Sequence, residues 1–301
     1  MVWVSYTNGN YDVLLNTING TKIRYNDLDN LTPARPESID VKISNDCEHN
    51  CAFCHEMSYS GGLLAWLENV ELFAKSLPPY IEIALGGGNL MKNIEHTETC
   101  LKIFKQNKAI VSITIRQDDF VKNIDIIDKW LHQKLIYGIG ISLLNATDNR
   151  FWNLYSHYKT AIIHTIAGLL TINDIYYLMQ HHARILILGY KHIGRGIDYY
   201  DKNGLDIESN INYLREHINK IIKKTELCSF DNLALDQLNV QEQIPQDTWE
   251  TYYMGDDGST TFYIDLVARE FAESSSSTER YLIKDPNCMA MFNFIQLKRK
   301  K

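Results

Sequence analysis

The sequence predicts an α/β fold built on a parallel sheet, and three observations point to it. Strand-like and helix-like segments alternate from Ile39 to Lys224 in six strand-then-helix units. Several of the strands are continuously apolar, as expected when both faces of a sheet are covered by helices. The intervening helices repeat apolar residues at helical spacing and end on stop signals such as Pro78-Pro79. Right-handed crossovers then leave an open doubly wound sheet or a barrel, complete or partial, and periodicity does not choose among these.

Ahead of the series, VWVSY, YDVLLN and TKIRY are short β-rich runs separated by Asn8-Gly9 and Asn19-Gly20. Asn-Gly accepts positive φ at both central positions of a two-residue turn. Residues 1–38 therefore read as an antiparallel meander ended by Pro33 and Pro36. The series opens with IDVKIS (39–44), a cysteine-rich loop, and a helix whose Leu63, Leu67, Val70, Ala74 and Leu77 share one face. IEIAL (81–85) is a strand running into GGGN, and residues 93–107 are a helix. VSITIR (111–116) precedes the helix IDIIDKWLHQ (124–133), with Asn123 as its N-cap. YGIGISL (137–143) precedes a helix over 148–158. AIIHTIAG (161–168) precedes a helix that Thr171 and Asp174 open as a capping box. ARILILGYK (183–191) precedes the helix IESNINYLREHINKIIKK (207–224).

After residue 225 the rhythm breaks. SFDNLALDQL (229–238) reads as one more strand, and Asp256 and Asp257 as turn residues leading into a β-hairpin. LKRKK reads as a solvated basic tail. The expected organisation is a meander over 1–38, the β/α series over 39–225, and a C-terminal α+β extension with a hairpin over 226–301.

The chain has 301 residues, 45% hydrophobic and 22% charged, an ordinary globular composition. Its 30 basic against 37 acidic residues give a net charge of −7, which repels phosphate backbones and argues against nucleic-acid binding. No apolar run reaches the length of a membrane span. MVWVSYTNGNYDV lacks the basic segment and apolar core of a signal peptide. Cys100, Cys228 and Cys288 are scattered singly, which suits a reducing compartment, so a cytoplasmic protein is expected.

The chemistry concentrates in CEHNCAFCHE, residues 47–56. Cys47-x3-Cys51-x2-Cys54 lies in the loop after the first strand of the series, and function in parallel β/α architectures gathers at the carboxyl ends of strands. Three cysteines within eight residues, of six in the chain, are poorly explained as incidental. Zinc is one reading, with His49 or His55 as fourth ligand, although structural zinc sites usually recruit a second, distant ligand pair. An iron–sulfur cluster is the other. Thiolates are its usual ligands, and three without a fourth leave one iron open to a substrate or cofactor.

The Cys-x3-Cys-x2-Cys spacing, with Phe53 just before the third cysteine, resembles the signature of the radical S-adenosylmethionine (radical SAM) superfamily. The resemblance implies a partial (β/α)6 TIM-like barrel and a [4Fe–4S] cluster on Cys47, Cys51 and Cys54. It implies that S-adenosylmethionine chelates the fourth iron. An electron from the reduced cluster then cleaves it to a 5′-deoxyadenosyl radical that abstracts hydrogen from substrate. IEIALGGGN resembles the family's Gly-Gly-Glu motif, which binds the cofactor's amino group. Gly86, Gly87, Gly88 and Asn89 are thereby assigned to the cofactor, together with Phe53 of the cysteine loop, with Asn89 where the family has Glu, so that Glu at 89 is expected to be tolerated. By the same resemblance Gln117 and Ser142 contact the ribose or carboxylate, and Ile166, Ala167 and Gly168 lie along adenine. His49 and His55 are then surroundings, not ligands. An electron donor such as flavodoxin or ferredoxin is implied as a partner. The substrate is a small molecule, a nucleoside or a peptide side chain, and Tyr190, Lys191 and Arg195 are candidates to meet its carboxylate or phosphate. The rival class is a non-catalytic zinc-binding or interaction protein that uses the same loop.

Overall fold

The computed structural model describes residues 3–18, 20–26 and 31–300; Asn19 of the second expected turn and Lys301 of the basic tail lie outside them. β1 (Trp3–Asn8), β2 (Tyr11–Asn16) and β3 (Lys22–Tyr25) form the antiparallel meander as a separate sheet. Asn8 pairs with Tyr11, so the turn is Gly9-Asn10, one residue beyond the expected Asn8-Gly9. The reason is the buried Asn8 side chain. Its Oδ1 accepts from the Ala34 and Arg35 N–H groups at 2.9 Å, and its amide donates to Tyr11 Oη and Arg35 O.

The alternating units follow: β4 (Ser38–Lys42), α1 (Leu67–Lys75), β5 (Glu82–Gly86), α2 (Ile94–Gln106), β6 (Ile110–Arg116), α3 (Gln117–Lys122), α4 (Ile124–His132), β7 (Gly138–Ser142), α5 (Asn149–Tyr155), β8 (Ala161–Ile166), α6 (Ile172–Gln180), β9 (Arg184–Leu188), α7 (Arg195–Lys224) and β10 (Leu227–Phe230). Then come α8 (Asn232–Gln237), α9 (Val240–Gln243), α10 (Gln246–Tyr252), β11 (Thr261–Asp265), β12 (Glu270–Ala272), β13 (Tyr281–Leu282) and α11 (Cys288–Arg299). The large sheet runs β10-β9-β8-β7-β6-β5-β4-β11-β12-β13, parallel from β10 to β11 and antiparallel beyond. Sequential parallel neighbours with helical crossovers make the partial barrel, which stays open between β10 and β13. β11 extends the parallel series on the side of β4, a pairing that the expected C-terminal hairpin did not include.

Alternate residues divide the two faces. Ile39, Val41, Ile83, Leu85, Val111, Ile113, Ile139, Ile141, Ile163 and Ile185 are buried in the main core. The other set, with Asp40, Ala84, Ser112, Thr114 and Gly138, shares the opposite face by register and faces the lumen.

Local departures from the sequence reading have local causes. Leu63 and Leu67 are exposed, and α1 starts only at Leu67 with Val70, Phe73 and Ala74 as its buried face. Asn123 caps nothing with its side chain; its amide donates to Asp119 O and closes α3 instead. Residues 229–238 are mostly helix, because Asp231 accepts from Ala234 N–H and starts α8 after a four-residue strand. Lys298 and Arg299 belong to α11, where Arg299 pairs with Glu273 and Asp256 instead of trailing in solvent. Thr171 and Asp174 do form the capping box of α6. No helix among the described residues is long and apolar enough to cross a membrane.

Glu37 joins the meander to the barrel. Its buried carboxylate receives Tyr11 Oη at 2.6 Å, Arg24 Nε at 2.9 Å and Lys22 Nζ at 3.0 Å. Burial raises this carboxyl, but Lys22 and Arg24 outweigh it and hold it below its ordinary value. A depressed carboxylate contributes stability above its unfolded pKa and loses it as pH falls. Acid titration of unfolding stability is therefore expected to show a decline below the usual glutamate range, and Glu37→Gln should flatten that part of the curve.

Candidate functional site

The cysteine loop and the glycine turn meet at one rim of the barrel because β4 and β5 are parallel neighbours. Gly88 N–H donates to Ser44 O at 2.7 Å and Asn89 N–H to Asp46 O at 2.8 Å. A Cβ on Gly87 would stand 2.5 Å from Ser44 O, and one on Gly88 would stand 2.3 Å from Asp46 O. The approach of the cysteine-loop backbone thus by itself requires glycine at both positions. Gly86 differs: a Cβ there meets nothing within 4 Å, so it borders open space.

Cys47, Cys51 and Cys54 are half-buried free thiols. The loop is fixed by Cys47 N–H on Tyr59 O at 2.9 Å, Cys54 N–H on Cys51 O at 3.2 Å, and Asn50 in the left-handed region at φ 45°. Burial pushes the Cys47 thiol up, against the pull of the His49 and Asn50 N–H groups that point at it. Phe53 packs edge-on against Tyr199 with ring centroids 5.8 Å apart.

Arg195, expected at a substrate, is spent on this loop. Its Nε donates to Cys51 O and its Nη2 to Ser58 O, both at 3.0 Å, and its backbone N–H to Cys54 O. Tyr190 is buried, with its hydroxyl on Gly196 O. Only Lys191 of the three keeps its charge near the lumen, donating to Ser275 Oγ at 2.7 Å with His55 Nε2 at 3.4 Å.

The remaining sequence-chosen residues divide similarly. Asn89 is buried; its Oδ1 accepts from Met91 N–H and its amide donates to Glu48 Oε1, each at 2.9 Å. Gln117 is wholly engaged with the chain after β7, accepting from Leu144 and Asn145 N–H and donating to Asn145 O. Ser142 ends β7 between Arg116 and His164 in register, facing the lumen. Ile166 ends β8 opposite Leu188, and Ala167 is buried beneath it. Gly168 packs on α7, where a Cβ would stand 2.4 Å from Ile207 Cγ2. His49 lies with Nε2 2.6 Å from Asp119 Oδ2 and 3.0 Å from Asn89 Nδ2, tying the cysteine loop to the ends of β5 and β6.

Sequence reasoning missed the polar floor below the rim. Lys42 Nζ lies 2.5 Å from Glu56 Oε2 and 3.0 Å from Asp265 Oδ2, and Tyr263 Oη donates to Glu56 at 3.1 Å. Asp40 sits on the same face of β4. The signal was there: in IDVKIS, Asp40 and Lys42 alternate with apolar residues, the mark of one polar strand face.

No protein-family model matches the chain, and no curated protein matches its sequence. Solved structures match its fold. SuiB of Streptococcus suis bound to S-adenosylmethionine aligns with TM-score 0.60 at 12% identity over 97% of this chain and 86% of SuiB. SuiB bound to its precursor peptide SuiA gives 0.62 at 11% identity, over 97% and 87%. Native anSMEcpe with bound AdoMet gives 0.55 at 13% identity, over 84% of this chain and 79% of that one. The chain has the fold of these S-adenosylmethionine-bound proteins, and that fold is the partial barrel implied by the resemblance of its cysteine motif to the radical SAM superfamily.

Proposed function

We propose that this chain is a radical SAM enzyme acting on a peptide. The observation that carries the reading is the Cys47-x3-Cys51-x2-Cys54 loop at the carboxyl rim of a partial barrel, hydrogen-bonded to the 86–89 turn. The fold of proteins crystallised with S-adenosylmethionine supports it, and their bound peptides, SuiA and Cp18Cys, favour the peptide among the possible substrates.

The residues fit the cofactors. Cys47, Cys51 and Cys54 would hold a [4Fe–4S] cluster, which supplies the electron that cleaves S-adenosylmethionine to a hydrogen-abstracting radical. A single zinc needs ligand atoms that converge on one point, whereas a cluster seats each thiolate on its own iron. Among the described residues the one trio of ligand atoms within 4.8 Å is His49, Asp118 and Asp119, not the cysteines. Open space at Gly86 gives S-adenosylmethionine room beside the loop. Ser142 and Ile166 would border it from β7 and β8, with Phe53 at the loop. Gln117 and Gly168 would act by shaping the backbone around it, since their own contacts are internal. Arg195 keeps the loop carbonyls fixed and so orients the thiols. Free thiols and an electron donor such as flavodoxin or ferredoxin both suit the cytoplasm.

Asn89 and Glu48 replace the family's glutamate as a pair. The Glu48 carboxylate, held by the Asn89 amide, offers the charge near the cofactor's amino group that Asn89 lacks. Asn89→Ala would strand the buried Met91 N–H and release Glu48, at a cost of about 1–3 kcal/mol. S-adenosylmethionine binding is then expected to weaken roughly tenfold with the cluster retained, as read by titration into reconstituted protein. Asn89→Glu, acceptable on the motif alone, would set two carboxylates against each other and should bind no better than Asn89→Ala.

The decisive test is anaerobic reconstitution followed by reduction with S-adenosylmethionine. A brown protein with about four irons and four sulfides per chain, forming 5′-deoxyadenosine, is expected. A colourless protein carrying one zinc would overturn the proposal.

A further inference from the structure

Asp40 stands in the middle of β4, in register with Tyr263 on one side and Ala84 and then Ser112 on the other. Asp40 and Ala84 are both exposed, although each belongs to a strand with paired neighbours on both sides. The lumen is therefore hollow at this level, and the small side chains of Ala84, Ser112 and Gly138 leave it so. The Asp40 carboxylate accepts no hydrogen bond and makes no ion pair among the described residues. Its charged neighbourhood is mixed: the ammonium of Lys191 acts on it most strongly, and Asp257, Asp231 and Glu56 act against that ammonium. That ammonium is already held by Ser275 and His55, and the one on Lys42 is shared by Glu56 and Asp265. Enclosure by the barrel pushes the Asp40 carboxyl up to about 6, Lys191 opposing and the three acids adding to it, so at neutral pH it is mostly ionised, with no cation in direct contact among the described residues.

A second observation lies at the barrel's unpaired seam. A cleft of about 710 Å³ opens between the chain after β10 and the chain around β12 and β13. Trp249, stacked on Tyr253 with ring centroids 4.5 Å apart, forms one wall. Asp236, Asp256, Asp257, Glu273 and Glu279 line it against Lys298 and Arg299, an excess of acid. Asp257 belongs both to this wall and to the acids that act electrostatically on Asp40.

We propose that the lumen beside Asp40 receives a cationic group of the substrate, the ammonium of a lysine or the guanidinium of an arginine side chain, admitted through the seam cleft. An aromatic and acidic entrance favours such a group by cation–π and charge attraction, and an unpaired enclosed carboxylate gives it a partner at the end of the path. A neutral side chain would leave Asp40 charged and unpaired, and an anionic one would be repelled. This assignment rests on the radical SAM reading only for its catalytic meaning.

The test is binding to the reconstituted, unreduced protein with S-adenosylmethionine present, measured calorimetrically. The probes are the tripeptides Gly-Lys-Gly, Gly-Arg-Gly and Gly-norleucine-Gly, N-acetylated and C-amidated, together with cadaverine as a free diamine. The Lys and Arg peptides should bind saturably and the norleucine peptide at least tenfold more weakly. Asp40→Asn, isosteric and still able to fold, should remove that preference while S-adenosylmethionine affinity stays at the wild-type value. Cadaverine binding as tightly as the peptides would still support the cation site and mark a free amine as the source. Equal binding of norleucine, no saturable binding of any cation, or an unchanged preference in Asp40→Asn would each overturn the proposal. Failure of the wild type to bind S-adenosylmethionine would instead sink the radical SAM reading and leave the cation result standing.

Discussion

Replacing Cys51 by Ala is expected to remove the cluster and reduce 5′-deoxyadenosine formation to background. Cys47→Ala and Cys54→Ala should do the same. Iron in a cluster is held by thiolates, and no nearby oxygen donor substitutes well for a soft sulfur ligand. Cys51 lies at the centre of the loop, its carbonyl gripped by Arg195 and by Cys54 N–H, so the backbone has little freedom to present another ligand. The matching controls are the other three cysteines. Cys100 and Cys288 are buried in α2 and at the start of α11, and Cys228 lies in β10. Burial pushes each of those thiols up to about 12, which keeps them protonated and poor ligands. Cys100→Ala, Cys228→Ala and Cys288→Ala should therefore keep wild-type iron and sulfide content. Iron analysis and the visible spectrum after anaerobic reconstitution read both outcomes. Retained iron in Cys51→Ala, or lost iron in Cys228→Ala, would show that the ligand set is different.

The cysteine loop was legible because its chemistry is local: three thiols at fixed spacing after one strand. The β/α alternation was legible for a related reason, since the Ile- and Val-rich core strands carry their pattern within five to seven residues. What the chain hides is set by long-range partners. The role of Arg195 depends on carbonyls more than a hundred residues earlier, at Cys51 and Ser58. Gly87 and Gly88 could be seen to be special, but the surface they approach belongs to the neighbouring strand's loop. Gln117 and Asn89 are polar residues at strand ends, as ligand contacts often are, yet each turned inward to satisfy backbone groups. Even β11 follows this rule: TFYID reads as half a hairpin, and only the pairing of Tyr263 with Asp40 and of Asp265 with Lys42 makes it part of the barrel.

Lys42→Met should strongly destabilise the barrel, with a loss of about 3–5 kcal/mol at neutral pH. Lys42 is 5% exposed and bridges Glu56 and Asp265, so removing its ammonium leaves two carboxylates facing each other in a confined space. Methionine keeps most of the stem's volume, which separates lost charge from lost packing. Burial raises the Glu56 carboxyl, but His55 and Lys42 outweigh it and hold it well below the usual carboxylate range. In the wild type that depression is stability present above the unfolded glutamate pKa and lost as pH falls. Without Lys42 the balance reverses toward protonation, so the deficit of the variant should shrink as pH is lowered through the carboxylate range. Urea unfolding followed by tryptophan fluorescence at pH 7 and pH 5 reads this. The double variant Lys42→Met/Glu56→Gln should recover part of the loss at pH 7, because the amide can still accept from Tyr263 and the one carboxylate left, Asp265, no longer faces a second and keeps the Val267 and Ala268 N–H groups. A loss below about 1 kcal/mol, or one that grows on acidification, would mean that water screens the bridge and that the floor beneath the cysteine loop is held by packing.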